Sequence, residues 1–279
     1  TSIRHKVVLN VKFRLDKRAI YSKIIKGVLN TMAKEITTEQ IEMLEEMVAR
    51  ARKAAAIIET YDQDRVDHLC QAVAAALYDL KVWAQLSDEA VDETNLGDKV
   101  TKRNKRNKLK LILRDCMRSR SVGAIEEIPE KGLVKYAKPV GVIASLVPTT
   151  NPCLTPAGQV IYAIKARDVI ICSPHPRAKV VTNKCIDIIR EVLLREGAPA
   201  DIIQGIQQPS IALTQELMKR CDLVIATGGQ PMVKSAYSSG TPAYGSGAGN
   251  ATVIIDNTAD TPERQREAAQ NTRISKTSD

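Results

Sequence analysis

Two polar loops, each directly after an apolar run, hold the residues of this sequence with the clearest capacity for chemistry. The first reads Pro148-Thr149-Thr150-Asn151-Pro152, and the second reads Ser173-Pro174-His175-Pro176-Arg177. In open parallel sheets, ligands bind outside the carboxyl ends of the strands. The sequence therefore predicts a ligand site at the sheet edge where these two loops meet.

Asn151 is the candidate for catalysis in the first loop, because its neutral carboxamide can donate hydrogen bonds. Pro148 and Pro152 restrict the conformation of the loop that holds it. A carboxamide stabilises a developing oxyanion without ionising itself. On spacing alone, the alternative is that Asn151 caps the helix that follows. His175 also has two interpretations: it faces an anion or a ribose near a helix N-terminus, or it is a solvated residue in a proline-stiffened connection.

Two glycine-rich segments are candidates for backbone contact with phosphate. Thr227-Gly228-Gly229 follows an apolar strand and precedes a helix, and the segment 243–250 contains Gly245, Gly247 and Gly249. Glycine allows a close approach of the backbone to a ligand. Neither segment has the GxGxxG spacing of a standard Rossmann domain, and no acidic residue closes the second strand. Nucleotide binding would therefore follow a different pattern here.

An alternation of strand and helix patterns positions these loops and predicts an α/β fold. Strands are predicted at 140–147, 168–173, 201–205, 222–226 and 251–255. Helices are predicted at 153–166, 177–196, 208–219, 230–239 and 261–275. This alternation is typical of a Rossmann-like, mostly parallel sheet with helices on both faces.

The first third of the chain predicts a helical layer followed by a β-hairpin. Apolar residues recur at helical spacing over 38–60, 62–85, 88–95 and 98–118. Two short strand patterns, 124–129 and 133–137, flank a Glu-Lys-Gly turn. We expect a helical part at 38–118, a hairpin arm at about 121–138 and a Rossmann-like part at 139–279.

The basic charge of the chain is concentrated at its start. Of the formal net charge of +9, the segment 1–31 carries +7, so the charge does not indicate a nucleic-acid-binding face. We interpret 1–31 as a non-native leader or disordered extension before Met32; the alternative is a basic amphipathic targeting or docking helix. A second basic cluster, 102–108, predicts a solvated helix face, the alternative being contact with a phosphate-bearing partner.

Several function classes are disfavoured by composition. One Phe and one Trp leave little for stacking on bases, and no apolar run reaches the ~20 residues that a membrane helix needs. The six cysteines are scattered without a CxxC pair, which favours buried free thiols in a reducing cytoplasm over disulfides or a zinc site. We expect a cytoplasmic protein with no metal site, no nucleic-acid partner and no membrane partner.

Six short motifs, occurring in order, resemble the aldehyde dehydrogenase superfamily. They are 148–152, 173–179, Gly-Ala-Pro at 197–199, 226–240, Gly-Ser-Gly-Ala-Gly-Asn at 245–250 and Ser-Lys-Thr-Ser-Asp at 275–279. The pattern is similar to the CoA-acylating branch, which includes acetaldehyde and sulfoacetaldehyde dehydrogenases and the dehydrogenase half of bifunctional aldehyde-alcohol dehydrogenases. The resemblance implies the fold of that family, in an incomplete form.

The resemblance also implies roles for individual residues. Asn151 would supply the oxyanion-hole amide. The nicotinamide dinucleotide site would be lined by Pro148, Thr149, Thr150, Asn151, Ser173, Pro174, His175 and Thr227. Gly228, Gly229 and Val233 would lie by the pyrophosphate, and Gly247 near the nicotinamide. The hairpin would be the arm through which the full-length protein forms a homo-oligomer.

Two departures from the family pattern shape the functional hypothesis. The hydrolytic members carry a glutamate base in the segment equivalent to 241–250, which here holds no Asp or Glu. A thiol acceptor such as coenzyme A is then the consistent choice. The family's nucleophilic cysteine lies just beyond the Ser-Lys-Thr-x-Asp motif, and none of the six cysteines occupies that position. We therefore expect the chain to lack the catalytic domain and to be inactive by itself.

The resemblance thus implies oxidation of a small aldehyde with NAD and CoA to acyl-CoA and NADH. NADP is an open alternative to NAD, and acetaldehyde, sulfoacetaldehyde and succinate semialdehyde are all open as substrates. Two other hypotheses are a non-catalytic nucleotide-binding fragment and a reductase of the glutamyl-phosphate type from the same superfamily.

Overall fold

A layer of helices precedes a parallel sheet in the computed structural model, which describes residues 36–247, 249 and 252–277. By its internal contacts the chain divides into two compact units, 1–36 and 37–279, and the elements below belong to the second. The segment 1–31, interpreted above as a leader, lies outside the described residues.

Five helices form the first layer of the described chain. They are α1 (Thr38–Ile58), α2 (Gln63–Tyr78), α3 (Leu80–Thr94), α4 (Lys99–Asn104) and α5 (Arg106–Met117). A capping box starts α1, in which Thr37 and Gln40 each accept a hydrogen bond from the other's backbone N–H.

Two of the predicted helices are divided where the sequence pattern looked continuous. The predicted helix 62–85 breaks at Asp79, whose carboxylate accepts hydrogen bonds from the backbone N–H groups of Lys81 and Val82. This cap begins α3, which then runs through the separately predicted helix 88–95. The predicted helix 98–118 is likewise divided, at Lys105. Both predictions were wrong at these points. At Asp79 the reason is that capping competes locally with helix continuation. Lys105 has no side-chain cap, and the division there is a turn between α4 and α5.

A two-stranded antiparallel hairpin follows the helices, as the sequence predicts. It consists of β1 (Ala124–Ile128) and β2 (Leu133–Tyr136), joined by a 3₁₀ turn over Pro129–Lys131. Several of its large apolar side chains are exposed: Ile125, Leu133, Val134 and Tyr136. The hairpin therefore presents an exposed apolar surface within the part of the chain that the structure describes.

The second layer is a five-stranded parallel sheet of order β5-β4-β3-β6-β7. Its strands are β3 (Val142–Val147), β4 (Val169–Pro174), β5 (Ile203–Gly205), β6 (Leu223–Thr227) and β7 (Ala243–Ser246). Every residue of β3 and β4 is buried, so the core of the molecule lies around the middle of the sheet. The α/β class and the parallel sheet are confirmed.

The position of the last strand is a correction. The sequence predicts it at 251–255, whereas the fifth strand of the sheet is Ala243–Ser246, within the glycine-rich segment. Residues 252–255 form no strand and are exposed. Their Val-Ile-Ile pattern favours a strand, but a strand needs a hydrogen-bonding partner, and the described sheet ends at β7.

The remaining helices connect successive strands. They are α6 (Leu154–Ala166), α7 (Lys179–Arg195), α8 (Ile211–Arg220) and α9 (Gln230–Tyr237), and α10 (Pro262–Thr277) follows the sheet. Helices α6 and α7 contact each other and α2, whereas α8 contacts α1, and all four contact the sheet. These two groups of helices cover the two faces of the sheet, as in other α/β folds.

One cluster of polar contacts ties the helical layer to the middle of the sheet. The Asp222 carboxylate accepts hydrogen bonds from Arg52 of α1 and from the backbone N–H of Val142 at 2.7 Å. Burial raises the pKa of Asp222, but these hydrogen bonds outweigh burial and hold the pKa below its ordinary value. Gly141 lies against this cluster with a φ of +119°. The start of β3 thus depends on a residue of α1 and on one that precedes β6.

Among the described residues, no helix combines the length and the apolar content that crossing a membrane requires.

Candidate cofactor cleft

The carboxyl ends of β3, β4, β6 and β7 border a cleft of about 400 Å³. Ten of the predicted binding residues line it: Pro148, Thr149, Thr150, Ser173, Pro174, His175, Thr227, Gly228, Gly229 and Gly247. The lining contains no Asp, Glu, Lys or Arg among the described residues. The structure therefore brings the two strand-end loops and the glycine segments together, around a neutral cavity.

The helix N-termini near the cleft differ in whether a side chain already caps their backbone N–H groups. Two carboxylate oxygens of Glu93, on α3, accept hydrogen bonds from the first backbone N–H groups of α7, those of Val180 and Val181. The hydroxyl of Ser210 caps α8 in the same way. Helix α9 begins at Gly229 without a side-chain cap, and Gly228 and Gly229 line the cleft. Helix α6 also begins without a side-chain cap, but its first residues line a smaller crevice and not this cleft. Of the described helix N-termini that border the cleft, that of α9 is therefore the one open to an anion.

His175 contributes a neutral hydrogen-bond donor to the rim of the cleft. Its Nδ1 accepts a hydrogen bond from the backbone N–H of Arg177 at 3.2 Å, so the ring hydrogen lies on Nε2. Burial, and then the charge of Arg177, lower the pKa of His175. The ring is therefore uncharged at neutral pH and suited to a hydroxyl such as that of a ribose.

Val233 lies beneath the cleft and does not line it. Its side chain is buried, and its Cγ1 is the atom nearest to the position that a Cβ on Gly245 would occupy. Val233 therefore packs α9 against β7. The proximity to a pyrophosphate that the resemblance implies for Val233 stays a prediction.

Asn151 faces a second, smaller crevice, lined by residues of α3, α4 and the loop itself. The Nζ of Lys105 donates a hydrogen bond to its Oδ1 at 2.9 Å. One residue earlier, the Thr150 carbonyl oxygen accepts a hydrogen bond from Lys102. The oxyanion role of Asn151 stays a prediction, and its side chain does not line the cleft itself.

The basic cluster 102–108 is not the uniformly solvated helix face that the sequence predicts. Lys102 is only 5% exposed, and its ammonium group lies against the loop after β3. Arg106 packs over the ring of Tyr78 and donates a hydrogen bond to the Tyr78 carbonyl. Part of the cluster therefore binds within the chain, because its charges meet backbone carbonyls there.

Nine further residues that line the cleft were not predicted from the sequence. They are Leu146, Val147, Pro176, Pro209, Ser210, Ile211, Thr214, Met232 and Ser246. The hydroxyl of Thr214 lies 2.7 Å from that of Ser173, in the buried floor of the site. The strand-end rule, applied to the polar run after β5, would have found Pro209 and Ser210.

Comparison with known proteins decides the family. The aldehyde dehydrogenase family model matches residues 23–276. The chain belongs to the aldehyde dehydrogenase family. It is 46% identical to a sulfoacetaldehyde dehydrogenase of an Acholeplasma species over 76% of this chain and 44% of the relative. It is 42% identical to an acetylating succinate-semialdehyde dehydrogenase of Clostridium kluyveri over 76% of this chain and 47% of the relative.

A solved structure gives the same assignment. An acetylating aldehyde dehydrogenase from Geobacillus thermoglucosidasius superimposes with a TM-score of 0.71 at 36% identity, covering 78% of this chain and 48% of that chain. These relatives support the CoA-acylating branch of the family. This aldehyde dehydrogenase chain spans about half the length of the relatives it matches.

The cysteines of this aldehyde dehydrogenase chain do not include a candidate nucleophile. All six are free and buried, as the sequence predicts. Burial raises the pKa of Cys172 and of Cys221 to about 12, and it also raises the pKa of Cys70 and of Cys116. Cys153 begins α6 with its side chain buried against α3 and α7. A nucleophile needs an accessible thiolate, which these buried thiols do not supply.

Proposed function

We propose that this chain is the cofactor-binding part of a CoA-acylating aldehyde dehydrogenase, which converts a small aldehyde, CoA and NAD⁺ into acyl-CoA and NADH. The observation that carries the proposal is the neutral cleft at the strand ends, into which the uncapped N-terminus of α9 opens. Its relatives carry names of acylating and acetylating dehydrogenases. A dinucleotide fits this cleft, because its pyrophosphate would meet Gly228 and Gly229 and its riboses the hydroxyls and His175.

The residues of this chain would bind and orient the dinucleotide and stabilise the oxyanion. Bound NAD⁺ supplies an acceptor for the hydride of the aldehyde. The cleft would hold that acceptor on one side of the reacting carbon, while the amide of Asn151 would donate to the oxygen as it becomes negatively charged. The attacking cysteine thiolate would come from outside this chain, since its own six thiols are buried.

The absence of carboxylates favours a thiol as the acyl acceptor. No Asp or Glu lines the described cleft, and the segment 241–250 contains none. Without a general base, water attacks a thioester slowly, whereas a thiol such as CoA is a strong nucleophile. The choice between NAD and NADP, and among acetaldehyde, sulfoacetaldehyde and succinate semialdehyde, is open within this proposal.

The hairpin supports a further part of the proposal, that the full-length enzyme is a homo-oligomer. The two strands of the hairpin carry an exposed apolar surface, formed by Ile125, Leu133, Val134 and Tyr136. Such a surface is typical of an element that packs against another copy. The helical part, the hairpin and the Rossmann-like part would then be pieces of one NAD-binding domain, residues 32–279.

The test of the function is an absorbance assay at 340 nm with the full-length enzyme. We expect NADH formation that requires both an aldehyde and CoA. Glutamyl-phosphate-type chemistry predicts the opposite pattern, in which acyl phosphate is reduced and CoA has no effect. Failure of both reactions, with the cofactor still bound, would support the non-catalytic nucleotide-binding alternative.

A negative charge placed at the start of α9 is expected to weaken NAD⁺ binding without lowering the stability of the fold. In Gly229→Asp, the new carboxylate would cap α9, because Gly229 has the extended backbone of an N-cap residue (φ −68°, ψ 159°). The same negative charge would repel the pyrophosphate. We expect an unchanged or higher melting temperature and a loss of NAD⁺ affinity of roughly tenfold or more, measured by calorimetry on this chain.

The matched control for this variant is Gly229→Asn, which has the same shape and capping ability without the charge. Equal NAD⁺ affinity in the Asp and Asn variants would show that the pyrophosphate does not lie at α9.

A further inference from the structure

We infer that Lys105 positions Asn151 for the reaction, by holding the carboxamide oxygen so that the amide N–H groups point to the reacting carbonyl oxygen. The inference rests on the proposed function, since it concerns how Asn151 would serve as the oxyanion donor. It assigns a role to a residue of the basic cluster, between α4 and α5, that neither the motifs nor the cleft include.

The contact itself fixes which way the amide faces. The Nζ of Lys105 lies 2.9 Å from Oδ1 of Asn151. An ammonium group has only hydrogens to donate, so it accepts nothing and pairs with the oxygen of a carboxamide. The amide nitrogen of Asn151 must then face away from Lys105, and its two hydrogens remain donors. Without Lys105, the two orientations of the amide would differ far less in energy.

A second lysine holds the adjacent backbone. Lys102, on α4, is 5% exposed and donates to the carbonyl oxygen of Thr150. The indole N–H of Trp83 donates to the Lys102 carbonyl at 3.3 Å, which anchors this turn of α4 to α3. Burying an ammonium group is costly unless it is well hydrogen-bonded. Two lysines directed at consecutive residues therefore indicate that the position of this loop matters beyond its own packing.

The turn between α4 and α5 places Lys105 beside the loop after β3. The Asp98 carboxylate caps α4. Lys105 keeps helical backbone angles (φ −60°, ψ −15°), and its N–H is directed to the carbonyls of Thr101 and Lys102. From this position its side chain reaches the carboxamide of Asn151.

The charge of Lys105 would also strengthen the donor. A hydrogen bond accepted by the amide oxygen polarises the amide and makes its N–H groups better donors to an anion. The positive charge further favours negative charge nearby. Lys105 is accordingly a positioning residue, which acts through Asn151 and does not touch the substrate.

A double-mutant cycle in the full-length enzyme tests this role. We expect Lys105→Met to lower kcat about tenfold, with the KM for NAD⁺ and the NAD⁺ affinity of this chain unchanged. Lys105→Arg, which keeps a positively charged donor, should restore most of the loss. In an Asn151→Ala background, Lys105→Met should have no further effect, because the group through which it acts is gone. Lys108→Met, at an exposed position of α5, is the matched control and should behave as wild type.

The outcomes separate this inference from the proposed function. If the wild-type enzyme forms no NADH, or if Asn151→Ala leaves kcat unchanged, the proposed role of Asn151 fails and the inference fails with it. If Asn151→Ala lowers kcat but Lys105→Met does not, only the inference is overturned. An additive effect of Lys105→Met in the Asn151→Ala background would also overturn it. A lower melting temperature or NAD⁺ affinity in Lys105→Met would assign the residue to folding or binding, against the inference.

Discussion

Replacement of Asn151 by alanine is expected to lower kcat of the full-length enzyme by about 10²–10³-fold, the usual cost of losing one oxyanion-hole donor. The loss should appear in kcat, because the oxyanion forms only after the nucleophile attacks. The affinity for NAD⁺ should change little, since the side chain of Asn151 faces the small crevice beside α4 and does not line the cofactor cleft.

Steady-state kinetics and a single-turnover measurement of NADH formation test this expectation. Asn107→Ala serves as the control, because Asn107 is an exposed asparagine of α5. A kcat for Asn151→Ala within about threefold of wild type would leave Asn151 as no more than a structural residue of the loop, where its backbone carbonyl accepts from the N–H of Thr155.

Replacement of Gly141 by alanine is expected to destabilise the fold strongly, by on the order of 3 kcal/mol. The φ of +119° at Gly141 is strained for any residue with a Cβ. The added Cβ would overlap the carboxylate of Asp222 and would lie 3.3 Å from a guanidinium nitrogen of Arg52. That carboxylate cannot move aside without losing its hydrogen bonds to Arg52 and Val142.

Urea unfolding of this chain, followed by circular dichroism, measures the change. Gly240→Ala is the matched control, because Gly240 has a φ of +86° and no atom within 4 Å of the added Cβ. It should cost about 1–2 kcal/mol, from backbone strain alone. If the two variants lose equal stability, the overlap with Asp222 contributes nothing.

Much of the fold was predictable because buried strands and amphipathic helices leave regular patterns. The predicted strands 140–147 and 168–173 correspond to β3 and β4 within two residues. The strand β7 was missed because Ala243–Ser246 contains a glycine and only one large side chain, so partners in the sheet stabilise it more than its composition does. The breaks at Asp79 and Lys105 depend on single capping and turn contacts, which periodicity does not register.

The site was predictable to the extent that it follows from strand ends. The loops after β3, β4 and β6 meet because parallel strands bring their carboxyl ends to one edge of the sheet. Thr214 and Met232 line the cleft from helices α8 and α9. Which side of each helix faces the cleft depends on how the helix packs against the sheet, and strand ends do not predict this. The contact between Lys105 and Asn151 joins residues 46 apart that belong to different layers of the fold, so sequence spacing alone gave no indication of it.

The order of the strands has a consequence for how this chain folds during synthesis. The central strand β3 pairs on one side with β4, which follows soon after, and on the other with β6, whose contact between Asp222 and Val142 spans 80 residues. At ~5–20 residues per second, one edge of β3 stays unpaired on the ribosome for about 4–16 seconds after it is made. An apolar strand with an open edge is a site for wrong pairing. The nascent chain is therefore most in need of chaperone protection during the interval between β3 and β6.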